Sequence, residues 1–97
     1  MQIVSRKTLV TFWEKHPDAE GPLATWFTAA RAAEWKTPQD IRYDFRSADF
    51  VGDNRVIFDI GGNKYRLIVN VSYTYKSVLI KFIGTHADYD KINPETI

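Results

Sequence analysis

Residues 55–84 contain three apolar runs separated by two turns, RVIFDIGGNKYRLIVNVSYTYKSVLIKFIG. The runs are rich in β-branched and aromatic residues, and apolar and polar side chains alternate over 64–73, which is typical of strands. The GGN at 61–63 is a strong hairpin signal, and TYKS at 74–77 marks a second turn. This region therefore predicts a three-stranded antiparallel meander, with strands over 55–60, 64–73 and 78–84.

Upstream of residue 55, apolar residues recur at helical spacing. A first helix is predicted to have Ser5 as its N-cap and to end at His16, because the residue before Pro17 avoids the α region. Pro22 is expected in the first position of a second helix, where its missing N–H costs nothing. The apolar stripes of these helices are Leu9, Phe12, Trp13 and His16, and Leu23, Trp26, Phe27 and Ala30.

Two further helix starts carry the capping-box pattern. Thr37 precedes Asp40 by three residues, and Thr85 precedes Asp88 by the same spacing. Between these starts, residues 43–54 sustain no period and are predicted to form a loop. Helices followed by a meander predict an α+β fold, with N-terminal helices packed on a three-stranded or slightly larger antiparallel sheet and a short C-terminal helix.

Length and composition narrow the class of protein. The 97 residues, 44% hydrophobic and 26% charged, predict a single domain over 1–97. A net charge of +1 excludes a polybasic binder, and the lack of cysteine excludes disulfides and thiol chemistry. No apolar run approaches a membrane span and no signal peptide is apparent, so we expect a cytoplasmic protein without a membrane partner.

Folding the second hairpin brings polar residues together. A turn confined to 74–77 places Arg66 opposite Thr85, and His86 follows at the start of the C-terminal helix. Lys64 lies two residues from Arg66 on the same strand, so it is expected on the same face. The prediction is that His86 lies beside two cations.

This cluster has the residue types that RNA cleavage requires. Attack by a 2′-hydroxyl needs a base, an acid and positive charge for the phosphorane. Arg66 offers a planar fork for phosphate and Lys64 a point charge. Neighbouring cations and a helix N-terminus favour neutral His86, which suits a base, and Tyr89 is placed to stack on a nucleobase or hold a proton. The reaction needs no metal.

Simpler interpretations account for the same residues. Lys64 and Arg66 are also compatible with the solvated face of a half-buried strand, His86 with a first helical residue without a role, and Tyr89 with a core anchor. His16 is interpreted as a helix-terminal residue interacting with the dipole.

A metal site is not expected. His86, Asp88 and Asp90 alternate, so a strand would gather them as ligands, but the capping pattern favours a helix there.

Two separated motifs give the chain a family resemblance. GGNKYRLIV at 61–69, followed by GTHADYD at 84–90, resembles the HigB toxins of type II toxin–antitoxin systems. The resemblance includes FWEKHP at 12–17, WKTP at 35–38 and DNR at 53–55, and covers nearly the whole chain. It implies a RelE/ParE-like fold and a cofactor-free mRNA interferase, an endoribonuclease that cuts messenger RNA on the translating ribosome. It also implies a HigA antitoxin with a helix-turn-helix domain, and contact with operator DNA only through the antitoxin complex.

The same motifs suggest site residues. By resemblance, the catalytic residues are His86, Arg66, Lys64 and Tyr89. The substrate-binding residues are Asn63, Asp90 and Lys91. The net charge of +1 is modest for a stand-alone ribonuclease, and dependence on the ribosome would explain it.

Two other functions stay open at this point. One is a ParE-like inhibitor of DNA gyrase without nuclease activity, and the other is a non-catalytic module that binds a protein through an aromatic patch. The clustering of His86 with Arg66 and Lys64 disfavours the gyrase inhibitor, because a pure inhibitor needs no proton donor. The interaction module predicts that His86→Ala leaves activity intact.

Overall fold

A computed structural model describes residues 1–97 and has an α+β architecture. The strands are β1 (Gln2–Val4), β2 (Asp49–Val51), β3 (Arg55–Ile60), β4 (Tyr65–Ser72) and β5 (Ser77–Thr85). The helices are α1 (Arg6–Lys15), α2 (Glu20–Ala32), α3 (Pro38–Asp44) and α4 (His86–Tyr89), and a 3-10 turn covers Pro17–Ala19. No helix combines the length and apolar character that crossing a membrane requires.

The five strands form one mixed sheet in the order β1-β5-β4-β3-β2. The predicted meander is its centre, since β4 pairs antiparallel with both β3 and β5. The outer strands were not predicted: β1 joins β5 in parallel, and β2 pairs with β3 inside the segment 43–54 that we expected to be a loop. Strands of three residues are too short to show a period, and pairing with an existing edge is what orders them.

The first two helices begin differently from the prediction. Ser5 does occupy the N-cap of α1, but it has φ 74° and its side chain makes no capping hydrogen bond. α2 begins at Glu20 rather than Pro22, because the 3-10 turn after His16 leads directly into it. Pro22 is tolerated in the third helical position because that N–H also lacks an intrahelical acceptor. Both predicted capping boxes are confirmed at α3 and α4.

The hydrophobic core lies between the helices and one face of the sheet. The predicted stripes supply its helical half, with Leu9, Leu23, Trp26 and Ala30 all buried. Phe58 of β3 is the aromatic centre: its ring contacts those of Trp26, Phe45 and Trp35 at 5.4, 5.1 and 6.4 Å between centroids. The core therefore fixes the helices against the meander.

The register of β4 and β5 differs from the prediction. Ser72 pairs with Ser77, so the turn covers residues 73–76 rather than 74–77. Next to the turn, the pairing is therefore shifted by two residues from the predicted one. A bulge at Lys81 adds one unpaired residue to β5 and reduces this shift to one residue, so that Arg66 lies opposite Gly84 instead of Thr85. The face on which Arg66 lies is unchanged, because that face is set by the alternation of β4 itself.

Candidate active site

Arg66 is the centre of a polar cluster on the sheet face opposite α1, α2 and the hydrophobic core. Its Nη1 lies 3.2 Å from Oδ1 of Asp59, its partner across the β3–β4 ladder. The same nitrogen donates to the carbonyl oxygen of Asn63 at 3.3 Å. Only 13% of the Arg66 side chain is exposed. The guanidinium is thus held in place, and the interpretation of Arg66 as part of a solvated strand face is wrong.

His86 contacts the other arm of this guanidinium. Arg66 Nη2 lies 2.6 Å from His86 Nε2, and Arg66 Cζ is 5.8 Å from the centre of the Tyr89 ring. A guanidinium has donors only, so Nε2 is the acceptor and the proton of the neutral imidazole is on Nδ1. Three of the residues suggested by sequence therefore meet: Arg66, His86 and Tyr89.

The Thr85 capping box positions His86. Asp88 N donates to Thr85 Oγ1 at 3.1 Å, and Thr85 N donates to Asp88 Oδ2 at 3.2 Å. The hydrogen bond from the Thr85 backbone holds the pKa of Asp88 below its ordinary value, with smaller contributions from the charges of Lys91 and His16. Asp88 is therefore ionised at neutral pH and fixes α4 at the end of β5.

Gly84 allows α4 to approach the sheet. A Cβ at this position would lie 2.9 Å from Asp88 Cβ and 2.5 Å from the end of the Phe82 ring. We expect Gly84→Ala to lower the free energy of unfolding by about 1–3 kcal/mol and to shift α4, because the extra carbon overfills the contact. Urea unfolding measures the first effect, and the backbone amide shifts of residues 85–89 report the second. Gly21→Ala is the matched control, since a Cβ there meets nothing within 4 Å.

The predicted position of Lys64 beside His86 is wrong. Its Nζ contacts Asp18 Oδ2, and the hydroxyl of Tyr65 donates to the other oxygen of the same carboxylate. The Lys64 hydrogen bond, followed by that of Tyr65, holds the pKa of Asp18 below its ordinary value. In return, Asp18 raises the pKa values of Lys64 and Tyr65. Asp18 reaches the hairpin from the 3-10 turn, a long-range contact that local periodicity does not indicate.

The lowered pKa values of Asp18 and Asp88 make the stability of the fold depend on pH. The folded-state pKa values of Asp18 and Asp88 are depressed, so their stabilisation is present at neutral pH and is lost as the pH falls below about 4. We expect Asp18→Asn and Asp88→Asn each to reduce the acid dependence of the unfolding free energy, measured in urea between pH 7 and pH 3. Asp49→Asn, which removes an exposed carboxylate without an ion pair, should leave that dependence unchanged.

The remaining suggested residues surround the cluster without a side-chain contact to it. Asn63, with φ 94°, contributes its backbone carbonyl to Arg66. Asp90 and Lys91 are exposed after α4, and their backbone N–H groups bond to His86 and Asp88 carbonyls. Their role in substrate binding stays a prediction.

Sequence reasoning missed two contacts at this end of the sheet. The position of Asp59 could have been predicted from the sequence, because pairing residue 60 with residue 65 across the GGNK turn places Asp59 opposite Arg66. The position of His16 could not: its ring packs on Tyr65, with centroids 5.7 Å apart, from a helix far away in sequence.

Comparison with known proteins identifies similar chains. The model of a family described as HigB_toxin, RelE-like toxic component of a toxin-antitoxin system, matches residues 19–92. A protein of Escherichia coli O6:H1 named mRNA interferase HigB is 29% identical over 94 residues, covering 95% of this chain and 91% of the relative. The mRNA interferase toxin HigB of Escherichia coli K12 is 26% identical over 92 residues, covering 93% and 88%.

Proposed function

This chain belongs to the HigB family of RelE-like toxins, and from this membership we propose that it is an mRNA interferase that cleaves messenger RNA on the translating ribosome and so inhibits protein synthesis. The names of its relatives from Escherichia coli support this activity. The single observation that carries the proposal is the contact of Arg66 with His86, held from behind by Asp59.

The geometry of this contact suits phosphodiester cleavage. The 2′-oxygen of the substrate forms a bond to phosphorus as the bond to the 5′-oxygen breaks, leaving a 2′,3′-cyclic phosphate and a 5′-hydroxyl. One proton leaves the 2′-hydroxyl and one reaches the departing 5′-oxygen. His86 performs one of these transfers and Arg66 stabilises the charge of the phosphorane. Tyr89 packs beneath Arg66 and is available for the second transfer or for orienting the substrate.

Lys64 has a secondary role in this scheme. The Lys64 side chain is 64% exposed, and its ammonium is paired with Asp18, so it contributes a partly neutralised charge for the RNA backbone. Asn63, Asp90 and Lys91 contact the substrate from the rim. Because side chains supply both charge and proton transfer, the reaction proceeds without a metal ion.

The partners follow from the family. An antitoxin neutralises the toxic component of such a system, and we propose a HigA-type protein with a helix-turn-helix domain through which the complex contacts operator DNA. The ribosome positions the message, which is consistent with a net charge of only +1. We place this activity in the cytoplasm, in one domain over residues 1–97.

A reconstituted translation reaction tests the proposal. A defined message is incubated with the purified toxin, with and without ribosomes at physiological salt, and cuts are mapped by primer extension. We expect cuts only in translated regions. If no metal ion takes part, Mn²⁺ should not restore the cleavage of a message that carries a phosphorothioate at the cut position. Cleavage of naked RNA would contradict the ribosome dependence. No cleavage in either reaction, with inhibition of DNA supercoiling by gyrase, would replace the proposal by the gyrase-inhibitor function.

A further inference from the structure

The second histidine of the chain, His16, stacks on an aromatic ring through one of its two faces. His16 stacks on Phe12, with centroids 4.4 Å apart and an interplanar angle of 21°. The centroid of the Tyr65 ring is 5.3 Å from that of Phe12 and 5.7 Å from that of His16, so it lies off the line that joins the two stacked rings. Tyr65 therefore lies beside the stack and does not cover the face of His16 opposite Phe12. His16 is only half-buried, and neither Phe12 nor Tyr65 lies against this face.

This ring borders the end of the sheet that carries the candidate active site. Tyr65, on which His16 packs, immediately precedes Arg66 and pairs with Thr85, the residue before His86. The pKa of Asp88, in the same helical turn as His86, is lowered mainly by the hydrogen bonds with Thr85 and least by His16. His16 and His86 thus approach the same strand ends from two different elements.

A cation lies next to the aromatic cluster. Lys64 Nζ is 5.9 Å from the centre of the Tyr65 ring, and 64% of the Lys64 side chain is exposed. Recognition of single-stranded RNA combines aromatic rings, on which bases stack, with cations that follow the backbone. The rim of this site offers both.

The geometry points to His16 as a stacking subsite for one nucleobase of the message. His16 lies on the Tyr65 face of the sheet and Arg66 on the other face, so the RNA would reach His16 around the strand ends from the phosphate that we propose to bind at Arg66. Phe12 and Tyr65 support the imidazole from behind and from the side. This inference rests on the proposed function and adds a binding contact to it. Stacking accepts other aromatic rings, whereas a phenol, whose ordinary pKa is about 10, cannot replace an imidazole as a base near neutral pH, so His16→Tyr separates these two roles of His16.

The test measures affinity and rate separately. Single-turnover cleavage in the reconstituted reaction is followed over a range of toxin concentrations for His16→Leu, His16→Gln and His16→Tyr. We expect the two non-aromatic variants to raise the half-saturating concentration about 5- to 100-fold. Their maximal rate should stay within about twofold of the wild type, as for loss of a contact made equally in the ground and transition states. His16→Tyr should recover most of the affinity. Tyr75→Leu is the control, because Tyr75 is 83% exposed in the turn at the other end of the sheet.

The possible outcomes are distinguishable. An unchanged half-saturating concentration in a folded His16→Leu or His16→Gln variant would overturn the subsite and leave the proposed function intact. A maximal rate lost equally in His16→Tyr would also overturn it and assign proton transfer to His16 instead. Absence of ribosome-dependent cleavage by the wild type would remove the proposed function itself. Thermal unfolding of each variant confirms that it is folded, and the polar glutamine provides a second variant if leucine prevents folding.

Discussion

His86→Ala is expected to lower the rate of mRNA cleavage by about a hundredfold or more, because it removes the group that we propose to transfer a proton in the transition state. The fold should persist. His86 is the first residue of α4, alanine is a good helix former, and the Thr85–Asp88 capping box does not involve the imidazole. Primer extension on a translated message measures the effect, and growth arrest after expression without the antitoxin reports it in cells.

His86→Gln separates proton transfer from positioning. The glutamine carbonyl can accept the hydrogen bond from Arg66 but cannot exchange a proton near neutral pH. We therefore expect His86→Gln to be nearly as inactive as His86→Ala. Substantial activity of the glutamine variant would mean that His86 acts by orienting Arg66, and wild-type cleavage by both variants would remove His86 from the site.

Arg66→Ala is expected to reduce cleavage at least about tenfold, through the loss of charge stabilisation at the phosphorane. It also leaves the Asp59 carboxylate, only 29% exposed on the side chain, without its cation. Arg66→Lys should restore part of the activity only, since an ammonium cannot contact Asp59, His86 and a phosphate with a planar fork. Arg46→Ala, which removes an exposed positive charge beyond α3, is the control for net charge.

The two substitutions should not act independently. Arg66 and His86 are in direct contact, so the double variant is expected to lose less activity than the product of the two single losses. Losses that multiply fully would indicate that the two side chains act at separate points of the reaction. An Arg66→Ala variant with wild-type cleavage would show that the guanidinium has a structural role alone.

The local signals predicted the framework of the site well. The GGN hairpin and the alternation of residues 64–73 predict the central strands, and the Thr85–Asp88 spacing predicts the helix that presents His86. The prediction that Arg66 lies near His86 held despite an error of one residue in register. The face on which Arg66 lies depends on β4 alone, and its long side chain spans the difference.

The sequence by itself thus determined the meander, the capped helices and the family motifs, since each depends on residues close together along the chain. Only the tertiary structure decided the direction of Lys64, which contacts Asp18 across 46 positions of sequence. The packing of His16 on Tyr65 and the addition of β1 to β5 are of the same kind. The physical reason is that these contacts form when the helical layer docks on the sheet, and neither propensity nor periodicity records which surfaces will meet.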